Sequence, residues 1–132
     1  MGEFKSLEEA RKFFINDRFA TESGAVIEEL SEEACICSMP VTDHIRNAGG
    51  GVMGGAIYTL ADFAFAVLSN NHHRLTVGQQ SSISFLNGAK GNMLYAKAVC
   101  RKDGRTSCVY NVDVYDDAGR DIAAVSFLGF KL

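Results

Sequence analysis

The segment that most constrains this chain runs from Gly54 to about Asn70, "GGAIYTLADFAFAVLSN", an apolar stretch interrupted by one charge, Asp62. It holds no proline and few β-branched residues. Ile57, Leu60, Ala64, Val67 and Leu68 recur at i, i+3, i+7 spacing, the period of an α-helix. At ~1.5 Å per residue, roughly 16 residues make a helix about 24 Å long. Its other side carries Tyr58, Ala61, Phe65 and Ala66, so the helix is apolar nearly all round and is expected to be enclosed by the rest of the fold.

The remaining chain supplies the enclosure. "SLEEARKFFIND" has a Ser cap, early glutamates and apolar Ala10, Phe13 and Phe14 at helical spacing, which predicts a short amphipathic N-terminal helix. "GAVIEELSEEACICSMPV" reads as two strands joined at Ser31 to Glu33. After the long helix come four β-rich runs, "RLTVGQQSSISFL", "NMLYAKAVCRKDG", "TSCVYNVDVYDD" and "RDIAAVSFLGFKL", punctuated by "NGAKG", "KDGR" and "DDAGR". Tight turns imply antiparallel neighbours. The expected class is therefore α+β, about six antiparallel strands wrapped around one helix, and residues 1–132 read as a single domain without linker or repeat.

Composition narrows the function. The 132 residues are 47% hydrophobic, enough for a proper core, and the formal net charge of −3 is spread without basic blocks, which excludes a broad nucleic-acid footprint. No signal sequence and no uncharged apolar run long enough to span a membrane is visible, so a cytoplasmic location is expected. Cys35, Cys37, Cys100 and Cys108 lack a second pair at metal-binding spacing and are expected to be free, buried thiols. His72 and His73, in "SNNHHR", are expected in a solvated turn after the helix. No metal is expected.

Two features carry chemistry. The glycine-rich "GGGVMGG" stands immediately before the helix, but it lacks the Lys-Ser/Thr ending of a phosphate-binding P-loop and does not open a parallel βαβ unit. Asp62 lies about two turns further on, beside Tyr58, Phe65 and Ala66. Residue chemistry alone leaves it either a desolvated, strengthened base or a paired structural carboxylate. Asn47 is equally open, since asparagine also suits turns.

The stretch Asn47 to Val67, "NAGGGVMGGAIYTLADFAFAV", resembles the signature of the phenylacetate-degradation (PaaI-type) branch of the hotdog-fold acyl-CoA thioesterases: an Asn, a glycine, then His-Gly-Gly, then Leu-Ala-Asp. The similarity extends from about Val41 to the C-terminus, including "DGRTSCVYNVDVYD". One position departs, because Met53 stands where the family has His. The resemblance implies an acyl-CoA thioesterase acting on small or medium acyl groups, aryl ones included, with coenzyme A entering only as part of substrate and product. It implies that Asn47 and the Gly54 N–H flank the thioester carbonyl and that Asp62 is the general base or nucleophile. Met53, Gly55, Tyr58, Gln79 and Ser81 are the implied substrate contacts. Lys90, Arg101, Lys102 and Arg105, on two turns taken as adjacent, are the implied coenzyme A contacts. Should the missing His matter, the alternative is an acyl-CoA-binding hotdog protein with little or no turnover.

These roles carry a geometric consequence. Gly54 and Asp62 are eight residues apart, about 12 Å along one helix and roughly 80° around it. Both reach one thioester carbonyl only if they come from two antiparallel copies of the helix, so a homodimer with two shared sites is expected, and a pair of dimers after it. No nucleic acid and no membrane is an expected partner.

Overall fold

The computed structural model describes residues 2–132. Helix α1 spans Leu7–Phe14, and the Ser6 hydroxyl accepts the Glu9 N–H at 3.1 Å, the N-cap that "SLEE" encodes. A second short helix, α2, spans Arg18–Glu22. It was not foreseen, because five residues give too little periodicity to register. Strands β1 (Val26–Leu30) and β2 (Ala34–Pro40) are joined at residues 31–33, where the Ser31 hydroxyl accepts the Glu33 and Ala34 N–H groups. A 3-10 turn at Asp43–Ile45 and a glycine-rich loop lead into α3, Gly54–His72. Four long strands follow: β3 (Thr76–Phe85), β4 (Met93–Asp103), β5 (Ser107–Asp116) and β6 (Asp121–Lys131).

All six strands form one antiparallel sheet in the order β1-β2-β4-β5-β6-β3. The sheet curls around α3, the hotdog arrangement. Strict alternation makes this possible: Cys108, Tyr110, Val112 and Val114 of β5 point inward, while the residues between them face out. On β4 the inward residues include Ala96 and Ala98, small enough for the helix to lie close on the centre of the sheet. Phe65 stacks on Phe127 with ring centroids 4.6 Å apart, and the paired Gly78 and Gly129 clear room for its ring. A side chain at Gly129 would meet Cys108 Sγ at 2.7 Å and Phe65 at 3.1 Å.

At the other flank Phe4, Phe13, Phe14 and Phe63 form an aromatic cluster that fastens α1 to α3. The Arg11 guanidinium donates twice to the Ile27 carbonyl, which ties α1 to β1.

Two expectations need correcting. The helix runs two residues past Asn70, so His72 ends α3 rather than sitting in a turn. Its Nε2 faces the Glu32 carbonyl at 2.6 Å and therefore donates, and its Nδ1 shares a hydrogen bond with the Tyr110 hydroxyl. Nor is α3 enclosed all round within one chain. Gly55 and Asp62 are exposed, and Tyr58, Thr59 and Ala66 are only partly covered, because they share the one stripe that the sheet does not reach. The cysteines are free, three of them buried and Cys100 half-buried. Among the described residues no helix is long and apolar enough to cross a membrane.

Candidate active site

The N-terminus of α3 leaves two donors open. Met53 is the N-cap residue and offers no side-chain cap. Its carbonyl accepts the Ala56 N–H at 3.0 Å and the Ile57 N–H at 3.3 Å, while its own N–H donates to Ile45. The Gly54 and Gly55 N–H groups have no acceptor among the described residues, and both point out of the positive end of a 19-residue helix. An alanine Cβ at Gly54 would meet the Phe85 ring at 3.0 Å. The Met53 side chain, half exposed, folds over Gly55.

Asn47 organises the preceding loop. Its Oδ1 accepts the Gly49 N–H at 3.0 Å and the Gly51 N–H at 3.1 Å, and its backbone N–H bonds the Gly51 carbonyl at 2.8 Å. The carboxamide oxygen is committed to the loop; the NH₂ donates to nothing among the described residues and remains available as a donor.

Asp62 opens into a cleft of about 310 Å³ lined by Tyr58, Gly78, Gln79, Gln80, Ser81 and Phe127. The hydroxyls of Tyr58 and Ser81 share a hydrogen bond at 2.8 Å, which joins helix and strand across it. Gln79 is the extra residue of a β-bulge: Gly78 pairs with Gly129 and Gln80 with Leu128, so Gln79 has no partner opposite. Bulges of this kind re-aim side chains beside sites. Although solvent reaches Asp62, partial burial raises its pKa above the ordinary 3.8, and the negative charge of Asp17 raises it further. Asp17 is half-buried, sits before α2 and makes no capping hydrogen bond with its side chain. Sequence reasoning missed it, as it missed α2; an Asp immediately before "RFATE" was the available signal.

The structure gathers Asp62, Tyr58, Gln79 and Ser81 into one cleft. Gly54 opens instead into a second cleft, about 360 Å³, with Phe85 and residues 86–89. Met53 and Gly55 line a third, about 270 Å³. Within one chain the unpartnered N–H groups and the carboxylate do not converge.

The basic turns are also apart, which corrects their supposed adjacency. Lys90 lies in the β3–β4 connection, at the end of the sheet shared with Phe85, Ala123 and the start of α3. Arg101, Lys102 and Arg105 flank the β4–β5 turn, at the end where Asp103 pairs with Cys108 and Thr76 with Lys131. Strands of about ten residues, some 33 Å, separate the two. The Lys90 loop is anchored by Asp116, a buried side chain whose two oxygens accept the N–H groups of Lys90, Gly91, Ala118 and Arg120 at 2.8–3.1 Å. Burial alone would raise that carboxyl, but the four donors hold it below the usual range.

Known proteins share this fold. The model of the family described as the thioesterase superfamily matches residues 49–123, which include Gly54, Asp62, Gln79, Ser81 and the basic turns. Over 120 residues the chain is 29% identical to the acyl-coenzyme A thioesterase PaaI of Escherichia coli K12, covering 90% of this chain and 86% of that one. The solved structure of the E. coli PaaI protein superposes with a TM-score of 0.87 at 25% identity, covering 96% of each chain. A hypothetical thioesterase of Streptococcus pneumoniae TIGR4, solved with coenzyme A, superposes with a TM-score of 0.83 at 28% identity over 90% of this chain and 94% of that one.

Proposed function

Since this chain belongs to the thioesterase superfamily and is a thioester hydrolase of the hotdog fold, we propose that its substrates are coenzyme A thioesters of small or medium acyl groups, aryl ones included. The observation that carries the reading is the pairing of unpartnered Gly54 and Gly55 N–H groups with a carboxylate of raised pKa two turns along the same helix. Hydrolysis develops negative charge on the thioester oxygen, and fixed backbone donors at a positive helix end stabilise it. The Asn47 NH₂ adds a third donor. Asp62 either activates water or attacks directly; in both cases it acts ionised. Gln79 and Ser81 face the Asp62 cleft and orient the attacking group, with Tyr58 holding Ser81.

The reaction centre is shared between two copies of the chain, Gly54 from one and Asp62 from the other. Two features support this arrangement. Strand β3 is a ten-residue edge whose outer side has no partner strand among the described residues, with Val77 and Phe85 exposed on it. The uncovered stripe of α3 that carries Asp62 flanks the same edge. In such a dimer the coenzyme A arm passes the Lys90 loop of one copy, while Arg101, Lys102 and Arg105 take the phosphates only if the other copy presents its opposite end. Coenzyme A enters as substrate, and the proposed chemistry needs no cofactor.

Met53 favours a second reading, in which the chain binds acyl-CoA with little turnover, because a thioether cannot donate the hydrogen bond that a histidine would. Incubation of the purified protein with a panel of acyl-CoA thioesters, with free thiol detected as it appears, decides. Thiol release supports hydrolysis; tight binding without release supports the second reading.

A further inference from the structure

The third cleft, about 270 Å³, lies on the α2 side of the α3 N-terminus. Phe19 of α2, Met39 of β2, Ile45 of the 3-10 turn, and Met53, Ala56 and Thr59 at the start of α3 wall it. Apart from His44 at its rim the lining carries no ionisable side chain, only the hydroxyls of Ser23 and Thr59 among apolar groups. Gly55, one of the two residues with an unpartnered N–H, is itself part of the wall, so a group in the cleft lies beside the proposed oxyanion donors. The other mainly apolar cleft, between α1, α2 and β1, has no such neighbour: the guanidinium of its Arg11 is already bonded to Ile27 and Glu8. The cleft around Gly54 leads instead to Asn87 and the Lys90 loop, the direction suited to the polar arm of the thioester.

Resting on the thioesterase reading above, we infer that this cleft receives the acyl group and that Phe19 and Met53, at its mouth, set the acyl size accepted. The acyl carbon chain begins one bond from the carbonyl carbon, so it must enter a space adjoining the donors that hold the carbonyl oxygen. A volume near the lower end of ligand pockets suits a single aromatic ring or a short alkyl chain rather than a long fatty chain. The mainly apolar lining disfavours an acyl group with a second carboxylate, which would lose solvent with no basic side chain but His44, at the rim, to face it. Phe19 is 75% exposed and Met53 50% exposed, so both reach the opening without being buried in the core. A flexible thioether there adapts to the shape of its guest where an imidazole would present a polar edge.

The test compares kcat/KM on acetyl-, hexanoyl-, benzoyl- and dodecanoyl-CoA for the wild type, Thr59→Phe and Phe19→Ala. Filling the cleft with Thr59→Phe should cost about tenfold or more on hexanoyl- and benzoyl-CoA with little change on acetyl-CoA, and opening its mouth with Phe19→Ala should improve dodecanoyl-CoA relative to hexanoyl-CoA by about tenfold. Phe19→Ala changes an exposed side chain, so it remains informative even if Thr59→Phe fails to fold. A loss uniform across chain lengths, or an unchanged profile in Phe19→Ala, overturns the acyl assignment while leaving hydrolysis standing. A flat profile with an altered oligomeric state in Thr59→Phe overturns it in favour of a subunit contact. A wild type that releases thiol from no member of the panel overturns the thioesterase reading itself, and the inference with it.

Discussion

The Tyr58 and Ser81 hydroxyls, 2.8 Å apart, hydrogen-bond side chain to side chain between α3 and the edge strand β3, and they lie in the cleft that holds Asp62. Two groups linked this way act as a unit. Tyr58→Phe and Ser81→Ala should each lower kcat/KM, and the double variant should lose little more than either alone. Additive losses in this double-mutant cycle would mean that the two hydroxyls work independently.

The pH dependence follows from the carboxylate's setting. Asp62 must be ionised to act, and partial burial followed by the Asp17 charge raises its pKa above 3.8, so the acid limb of kcat/KM should lie above that value. Asp17→Asn removes the second contribution only. The limb should then move to lower pH without vanishing, and because the Asp17 side chain makes no capping bond, folding should be unaffected. A limb that stays in place would exclude electrostatic contact between the two.

The same shift makes Asp62 a stability cost. The folded chain holds this proton to a higher pH than the unfolded chain does, so Asp62 contributes favourably only at low pH, and that contribution is lost as pH rises from 3.8 through the raised folded value. Asp62→Asn should therefore abolish most turnover yet raise Tm at neutral pH, with the difference shrinking below that window. A Tm gain that persists unchanged in acid would assign the effect to something other than titration.

Packing under Phe65 offers a check on the core. An added Cβ at Gly129 lands 2.7 Å from Cys108 Sγ and 3.1 Å from the Phe65 ring, both buried, so neither neighbour can retreat into solvent. Gly129→Ala should cost about 1–3 kcal/mol in urea unfolding, the usual penalty for overpacking.

Much of this was legible in the chain. The 3.6-residue period of α3, the Ser6 cap and the period-2 alternation of β5 are local signals, and each element formed where its signal stood. What could not be read is what non-local packing decides. Asp62 was expected in a surround of Tyr58, Phe65 and Ala66, but one stripe of α3 is left open because the sheet wraps only part of the helix. The two basic turns look alike in sequence, yet strand direction sends them to opposite ends. Helix α2, with Asp17 before it and Phe19 on it, is too short to show a period, and its position beside α3 comes from tertiary contacts alone. Asn47 stood open between turn and donor. The structure commits its oxygen to the turn and gives its NH₂ no acceptor among the described residues.

The division of the site between two chains can be tested by complementation. Asp62→Asn removes the base from one helix. Gly54→Pro removes a donor N–H from the other, at the first helical position, where proline is tolerated. The local backbone suits it: Met53 has φ −64° and ψ 134°, the extended conformation required of a residue that precedes proline, and among the described residues the Gly54 N–H has no bond to lose. The proline ring meets Phe85, which is more than half exposed and has room to shift. Each variant alone should be nearly inactive, since removing one oxyanion donor typically costs on the order of 10²- to 10³-fold and removing the base costs more. A mixed dimer carries one centre with both lesions and one with neither, built from Gly54 of the Asp62→Asn chain and Asp62 of the Gly54→Pro chain. Unfolding and refolding the two variants together should therefore restore up to about a quarter of wild-type activity, because half the dimers are mixed and each has one intact centre of two. Recovery that tracks the mixed-dimer fraction establishes the shared site. Mixed dimers that form and recover nothing, or a wild type active as a monomer, would place Gly54 and Asp62 in separate tasks.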